Sequence, residues 1–136
     1  MELEASATPV IFIVGKAAIT VTIKYIAKKA TANFVNSNIA VGSSKVVLSK
    51  AKMQHILQSH HPSFWTGAKG KSMFDPSLIV NNIKNIVNSV VRQNSSTISR
   101  NLAKGIGSDV RGTVNGVNYF VRIGKNGYVQ SAYPVR

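Results

Sequence analysis

Apolar residues recur at two different periods along this chain. Between residues 17 and 92 they fall mostly at helical spacing, and beyond about residue 108 they alternate. Ala18, Val21, Tyr25 and Ile26 lie near one helical face, so residues 17–34 read as an amphipathic helix, with Pro9–Val14 reading instead as a short strand. Asn36–Ser44 is a polar connector, and Lys45–Leu48 a short strand. Ser49 then suits the N-cap of a helix over Lys50–Ser59, whose apolar stripe is Met53, Ile56 and Leu57. Pro62 stops it by disfavouring helical backbone at His61. Pro62–Asp75 reads as a loop. Asp75-Pro76 offers a cap and a first-turn proline, and Ile79, Ile83, Ile86 and Val90 carry a helix over about 77–92. Gln93–Gly107 is polar and irregular. Val110–Val114, Val117–Ile123 and Tyr128–Tyr133 then alternate as strands. Asn115-Gly116 between the first two predicts a type I′ hairpin, because both central residues of that turn need positive φ. Gly124–Gly127 makes a second turn, giving a three-stranded antiparallel meander.

Helices first and strands afterwards predict an α+β fold, with N-terminal helices packed on a twisted antiparallel sheet. The long helix covers one sheet face and the other stays open. Along the middle strand Tyr119, Val121 and Ile123 share one face, while Phe120 and Arg122 share the other. In the last strand Val129, Ser131 and Tyr133 are expected to point together. Composition shifts near residue 40, which divides the chain into an N-terminal helical segment, 1–40, and a main domain, 41–136.

Charge changes the picture. Lys and Arg number 17 against 4 Asp and Glu, a formal net charge of +13 in 136 residues. Little of that charge finds an internal partner, and an anionic partner is a common reason to carry it, nucleic acid first, an anionic membrane second, an acidic protein third. Cysteine is absent, which removes disulfides, thiolate metal sites and cysteine nucleophiles together. Glu2 and Glu4 precede the apolar stretch where a secretory signal carries positive charge. That stretch, Pro9–Ala27, is interrupted by Lys16 and Lys24, which makes it a poor membrane span; with Lys28 and Lys29 these lysines suit either contact with a membrane surface or a solvated helix face.

The three histidines, His55, His60 and His61, all lie within seven residues. Cleaving RNA at its own 2′-OH needs one group to take that proton and another to protonate the leaving 5′ oxygen, and two imidazoles suffice. With the helix ending between them, His55 and His60 are expected to converge; packing or loop roles remain the plainer alternative. Zinc is disfavoured because these histidines lack neighbouring carboxylates, and metal-dependent DNA cleavage is disfavoured for the same reason. Gly67–Ser72 is a flexible loop with Lys69 and Lys71, not a Walker motif, and a lysine there suits stabilising negative charge on phosphorus. Trp65, in the loop beside the histidines, and Tyr133, near the chain end, are candidates for base stacking, and Arg122 for substrate contact on the open face.

Lys52–Val135 resembles the bacterial EndoU-type ribonuclease domain at the C-termini of polymorphic and contact-dependent growth inhibition toxins. The likeness rests on His55-Ile56-Leu57-x-x-His60, then Gly70-Lys71-Ser72-x-Phe74, the long helix, Gly112-x-Val114-x-Gly116-Val117 and Ser131-Ala132-Tyr133-Pro134. It implies the barnase/EndoU/colicin/RelE-like fold and cofactor-free, metal-independent RNA cleavage leaving a 2′,3′-cyclic phosphate, often in a tRNA anticodon loop. It also implies His55 and His60 as the acid/base pair, Lys71 as charge stabiliser, and Ser131 and Tyr133 as positioners of base and phosphate. His61 is a neighbour able to replace His60, and Lys69 the alternative to Lys71. Such a toxin is a secreted or surface-delivered effector acting in the target-cell cytoplasm. Its partner is an acidic cognate immunity protein, and residues 1–40 suit an uptake role with transient membrane contact. A non-catalytic nucleic-acid-binding module and a membrane-active toxin led by residues 9–35 are the competing readings.

Overall fold

A computed structural model describes residues 29–62 and 73–135. These form an α+β fold in the order β1 (Ser37–Val41), β2 (Ser44–Leu48), α1 (Lys50–His60), α2 (Val80–Gln93), α3 (Ser95–Ala103), β3 (Ser108–Val114), β4 (Val117–Ile123) and β5 (Val129–Pro134). β1 and β2 make an antiparallel hairpin, and β3-β4-β5 an antiparallel sheet. The two are joined where Val47 bridges in parallel to Tyr128 and the Val47 N–H donates to the Gly127 carbonyl at 2.9 Å.

The hairpin corrects the expectation of a polar connector over Asn36–Ser44. Ile39 and Val41 are buried while Asn38 and Ala40 are exposed, so the strand period is present, but over only five residues among polar neighbours. β1 spans residue 40, where the composition shifts. Of the helix expected over 17–34, only Lys29 and Ala30 are helical among the described residues, and 31–33 turn; the rest, with Pro9–Val14, Lys16, Lys24 and Lys28, lies outside them. The segment is strapped to α1: the Gln54 side-chain N–H donates to the buried Thr31 hydroxyl at 2.9 Å, and the Lys50 N–H to Asn36 Oδ1 at 3.0 Å.

α1 begins as expected, with Ser49 Oγ accepting from the Lys52 N–H at 3.2 Å. It runs through His60, and extended backbone starts at His61 (φ −115°, ψ 127°), the residue before Pro62. α2 starts later than expected, at Val80. The Asp75 carboxylate is taken up by the backbone and hydroxyl of Ser77, at 2.8 and 2.7 Å, so it closes a turn rather than capping a helix. Asn82 Oδ1 instead accepts the Ile79 N–H at 2.8 Å. Exposed Ile79 leaves the apolar stripe to Ile83, Ile86, Val87, Val90 and Val91. A further correction falls in Gln93–Gly107, where α3 stands in place of an irregular stretch. Its buried contribution is one residue, Ile98, with Leu102 part-buried, too narrow a stripe to read by period.

Asn115 and Gly116 both have positive φ (51° and 79°), the type I′ geometry the dipeptide predicts. α2 packs on the face of β3 and β4 that carries Val110, Tyr119, Val121 and Ile123; α1 leans on β5; α3 lies under the first hairpin. The outer edge of β3 is closed by side chains. Gln93 accepts the Thr113 N–H at 3.2 Å and donates to its carbonyl at 3.0 Å, and Asn94 donates to the Arg111 carbonyl at 2.8 Å. These amides occupy groups that an edge strand otherwise offers to another chain.

Candidate nucleic-acid interface

Because a two-residue turn fixes the register of β3 on β4, the face turned away from α2 is set by counting outward from Asn115-Gly116. Thr113 lies opposite Asn118, Arg111 opposite Phe120, and Asp109 opposite Arg122. β5 continues the rows, with Tyr133 opposite Phe120 and Ser131 opposite Arg122. A bulge then intervenes: Arg122 pairs with Ser131 but Ile123 pairs with Val129. The extra residue turns Val129 into the core, fully buried, and corrects the expectation that Val129, Ser131 and Tyr133 point together.

On this open face the rings form a continuous stack that starts on α1. His60 stacks on Tyr133 with centroids 4.7 Å apart. Tyr133 lies 4.9 Å from Phe120, and the Arg122 guanidinium carbon sits 5.5 Å over the Phe120 ring. Asp109 ends the row by accepting two bonds from Arg122, Nε at 2.9 Å and Nη2 at 3.1 Å, a fork that fits a planar guanidinium. Those bonds hold the Asp109 carboxyl below its ordinary value of 3.8 and push the arginine up. Asp109, Arg111, Thr113, Asn118 and Arg122 are exposed, Ser131 and Tyr133 half-buried, and Phe120 covered by its neighbours.

The two expected catalytic histidines do not converge. Since α1 continues through His60, that residue lies five helical positions on from His55, about 140° of rotation. His55 is exposed, whereas His60 is 4% exposed against Tyr133. His61, expected at the substrate, turns elsewhere. Its Nε2 is 2.8 Å from the Leu78 carbonyl, and the ring lines a groove of about 490 Å³ with Phe34, Pro76, Leu78 and Ile79. Tyr133 stacks on His60, and Ser131 and Arg122, paired across β4 and β5, share the sheet face of Tyr133. Trp65, Lys69 and Lys71 lie outside the described residues. Among the described residues, no three His, Asp or Glu side chains group as a metal-ligand set, and no helix is long and apolar enough to cross a membrane.

Sequence reasoning placed Phe120 on the face of Arg122 but missed Asp109 there, and with it the partners that fix both residues across β3. Their signal was available: counting residues back from Asn115-Gly116 sets Asp109 against Arg122 and Arg111 against Phe120. Comparison with protein-family models, curated proteins and solved structures gives no match.

Proposed function

We propose that the open sheet face binds RNA and cleaves it without a metal, with His60 and Tyr133 at the centre of the reaction. The observation that carries this reading is the stack of His60 on Tyr133, on the sheet face that also carries Ser131 and Arg122 and is turned away from α2, in a chain with net charge +13. In the reaction His60 takes the proton of the 2′-OH. The 2′ oxygen bonds to phosphorus, the bond to the 5′ oxygen breaks, and the Tyr133 hydroxyl protonates that leaving oxygen. Proton return from His60 to Tyr133 resets the site, and a 2′,3′-cyclic phosphate is left. An exposed cation on the face offsets the charge that builds on phosphorus. The resemblance to EndoU-type toxin domains supports the same reaction and extends it: tRNA as substrate, action in a target-cell cytoplasm after delivery from a producing cell, and an acidic immunity protein covering this face. Charge complementarity of that kind speeds association and excludes wrong partners.

One observation favours a second reading, a non-catalytic RNA-binding module. At 4% exposure His60 presents little surface to a ligand, and its stack on Tyr133 is a packing role in its own right. Incubation with bacterial tRNA in EDTA, with binding measured in parallel, separates the two. Cleavage predicts fragments ending in cyclic phosphate, lost about 100- to 10,000-fold in His60→Ala. Tyr133→Phe keeps the ring and the binding but loses turnover. Binding without fragments in every chain establishes the module instead. His55→Ala decides whether the exposed histidine takes part: loss of cleavage with retained binding returns it to the reaction.

A further inference from the structure

Asp109 and Arg122 make an ion pair on the open face, in the cross-strand row of that face farthest from the Asn115-Gly116 turn, and a surface ion pair by itself carries little stability. Its placement is less ordinary. Asp109 is one of two acidic residues among those described, the other being Asp75, and it sits on the arginine that lies over Phe120. A face built only to hold phosphate gains nothing from a carboxylate there, since the carboxylate competes for the same N–H donors and repels the ligand.

Arg111 supplies the contrast. It is exposed on the same face, opposite Phe120, and has no ion-pair partner among the described residues. It lies on the diagonal from Arg122, about 7–8 Å away by strand geometry. Arg111 is therefore the cation open to phosphate, and Arg122 the one already neutralised.

What the neutralised pair retains is a flat, polar surface. The guanidinium is held over Phe120 on one side and forked by Asp109 at its edge, while the side chains stay 57% and 53% exposed. Guanidinium planes stack on unpaired bases, and a carboxylate accepts hydrogen bonds from a base edge. We propose that the Asp109–Arg122 pair is a nucleobase site: an unpaired base of a single-stranded RNA stacks on Arg122 and is bonded at its edge by the pair, while Arg111 holds a phosphate of the same strand. Asp109 thereby makes Arg122 a reader of bases instead of a phosphate contact. This rests on the open face being the RNA-binding surface.

The test measures binding of the full chain to labelled 2′-O-methyl oligonucleotides of A, C, G or U, which cannot be cleaved through their own 2′ position. An abasic strand of equal length is the reference, and all strands are measured over a salt series. The native chain is expected to bind at least one base-bearing strand about tenfold or more above the abasic strand, as a stacked base requires. Asp109→Asn binds every strand more tightly and steepens the log–log salt dependence by about 0.7, one added phosphate contact on a single strand. Its preference for bases over the abasic strand falls several-fold. Arg122→Lys keeps the charge and also loses that preference. Arg111→Ala weakens all strands alike, makes the salt dependence shallower by about 0.7 and keeps the preference. Retention of the base preference in both Asp109→Asn and Arg122→Lys overturns the proposal while leaving RNA binding by this face intact. A native chain that binds no strand at all overturns the RNA reading itself, and this site with it.

Discussion

The two faces of the β3-β4-β5 sheet are made by the same three strands, alternate residues going to each, yet they share almost no chemistry. One face carries Val110, Val121, Ile123, Val129 and Ala132, all buried, with α2 packed on its β3 and β4 residues. The other carries Arg111, Thr113, Asn118 and Arg122 in solvent, and its aromatic residues are covered by one another and by His60 from α1. Burial of apolar area makes the first face the source of stability. The second is organised by ring stacking around Phe120 and His60 and by one exposed ion pair, and of these the ion pair contributes little to folding. The difference separates two kinds of surface within a single sheet, so substitutions along β3 and β4 sort by the parity of the strand position.

The closed face gives the largest effect. Ile123→Ala removes a side chain that is 1% exposed, and urea denaturation is expected to show a loss of about 2–5 kcal/mol. That is a large share of the roughly 5–15 kcal/mol that holds a domain folded. Arg111→Ala, on the same sheet but the opposite face, is expected within about 0.5 kcal/mol of the native chain. Equal losses at the two positions break the comparison.

Gly112 tests how closely the closed face is packed. A Cβ there meets Gln93 Oε1 at 2.6 Å and the Val90 Cα at 3.3 Å. The glutamine can swing away, but the α2 backbone cannot without lifting off β3. Gly112→Ala is therefore expected to cost about 1–3 kcal/mol in the same measurement. An unchanged midpoint means that α2 does not press on β3 at this point.

Between the faces lies the edge of β3, and Gln93→Ala probes it. The substitution removes both bonds to the Thr113 backbone, each worth about 1 kcal/mol or less after exchange with water. The freed N–H and C=O stay exposed, so water replaces the amide and the expected loss is about 1 kcal/mol. Sedimentation of the variant at high concentration is expected to show self-association that the native chain lacks, because the edge is then open to pairing.

Much of this arrangement was legible in the sequence wherever one dipeptide or one period decides the geometry. Asn115-Gly116 fixes the hairpin, its type and its register, and with them the partners Asp109–Arg122 and Arg111–Phe120. Ser49 and Pro62 bracket α1 to within a residue. That single residue nonetheless matters most for the site: carried through His60, the helix turns His55 and His60 to different sides. Elements with short or thin apolar patterns were not legible. β1 has two buried apolar residues in five, and α3 has one in nine. The bulge opposite Arg122 and Ile123 was hidden for another reason. The β4–β5 connection is longer than two residues and does not fix register, so parity along β5 does not say that Val129 turns inward while Ser131 turns out. Asp75 followed a familiar cap pattern, but Ser77 lies close enough to satisfy the carboxylate locally.

The smallest expected effect is a trend with pH that belongs to the open face alone. Arg122 holds the Asp109 carboxyl below its ordinary value of 3.8 by hydrogen bonding to its charged form. A carboxyl depressed in the folded state contributes stability that is fully present above its unfolded value and is lost as pH falls through the lower, folded one. Asp109→Asn has no such contribution. The native chain is therefore expected to exceed the variant slightly in melting temperature at pH 5–7, and the gap is expected to close as pH falls below about 4, the region of an unperturbed Asp. Because both side chains are exposed, salt screens the pair, and adding about 1 M salt at neutral pH should shrink the same gap. A gap that survives both acid and salt shows that the asparagine disturbs the stack on Phe120 rather than the charge. In that event the open face contributes to folding after all, and the division of labour between the two faces is weaker than their composition implies.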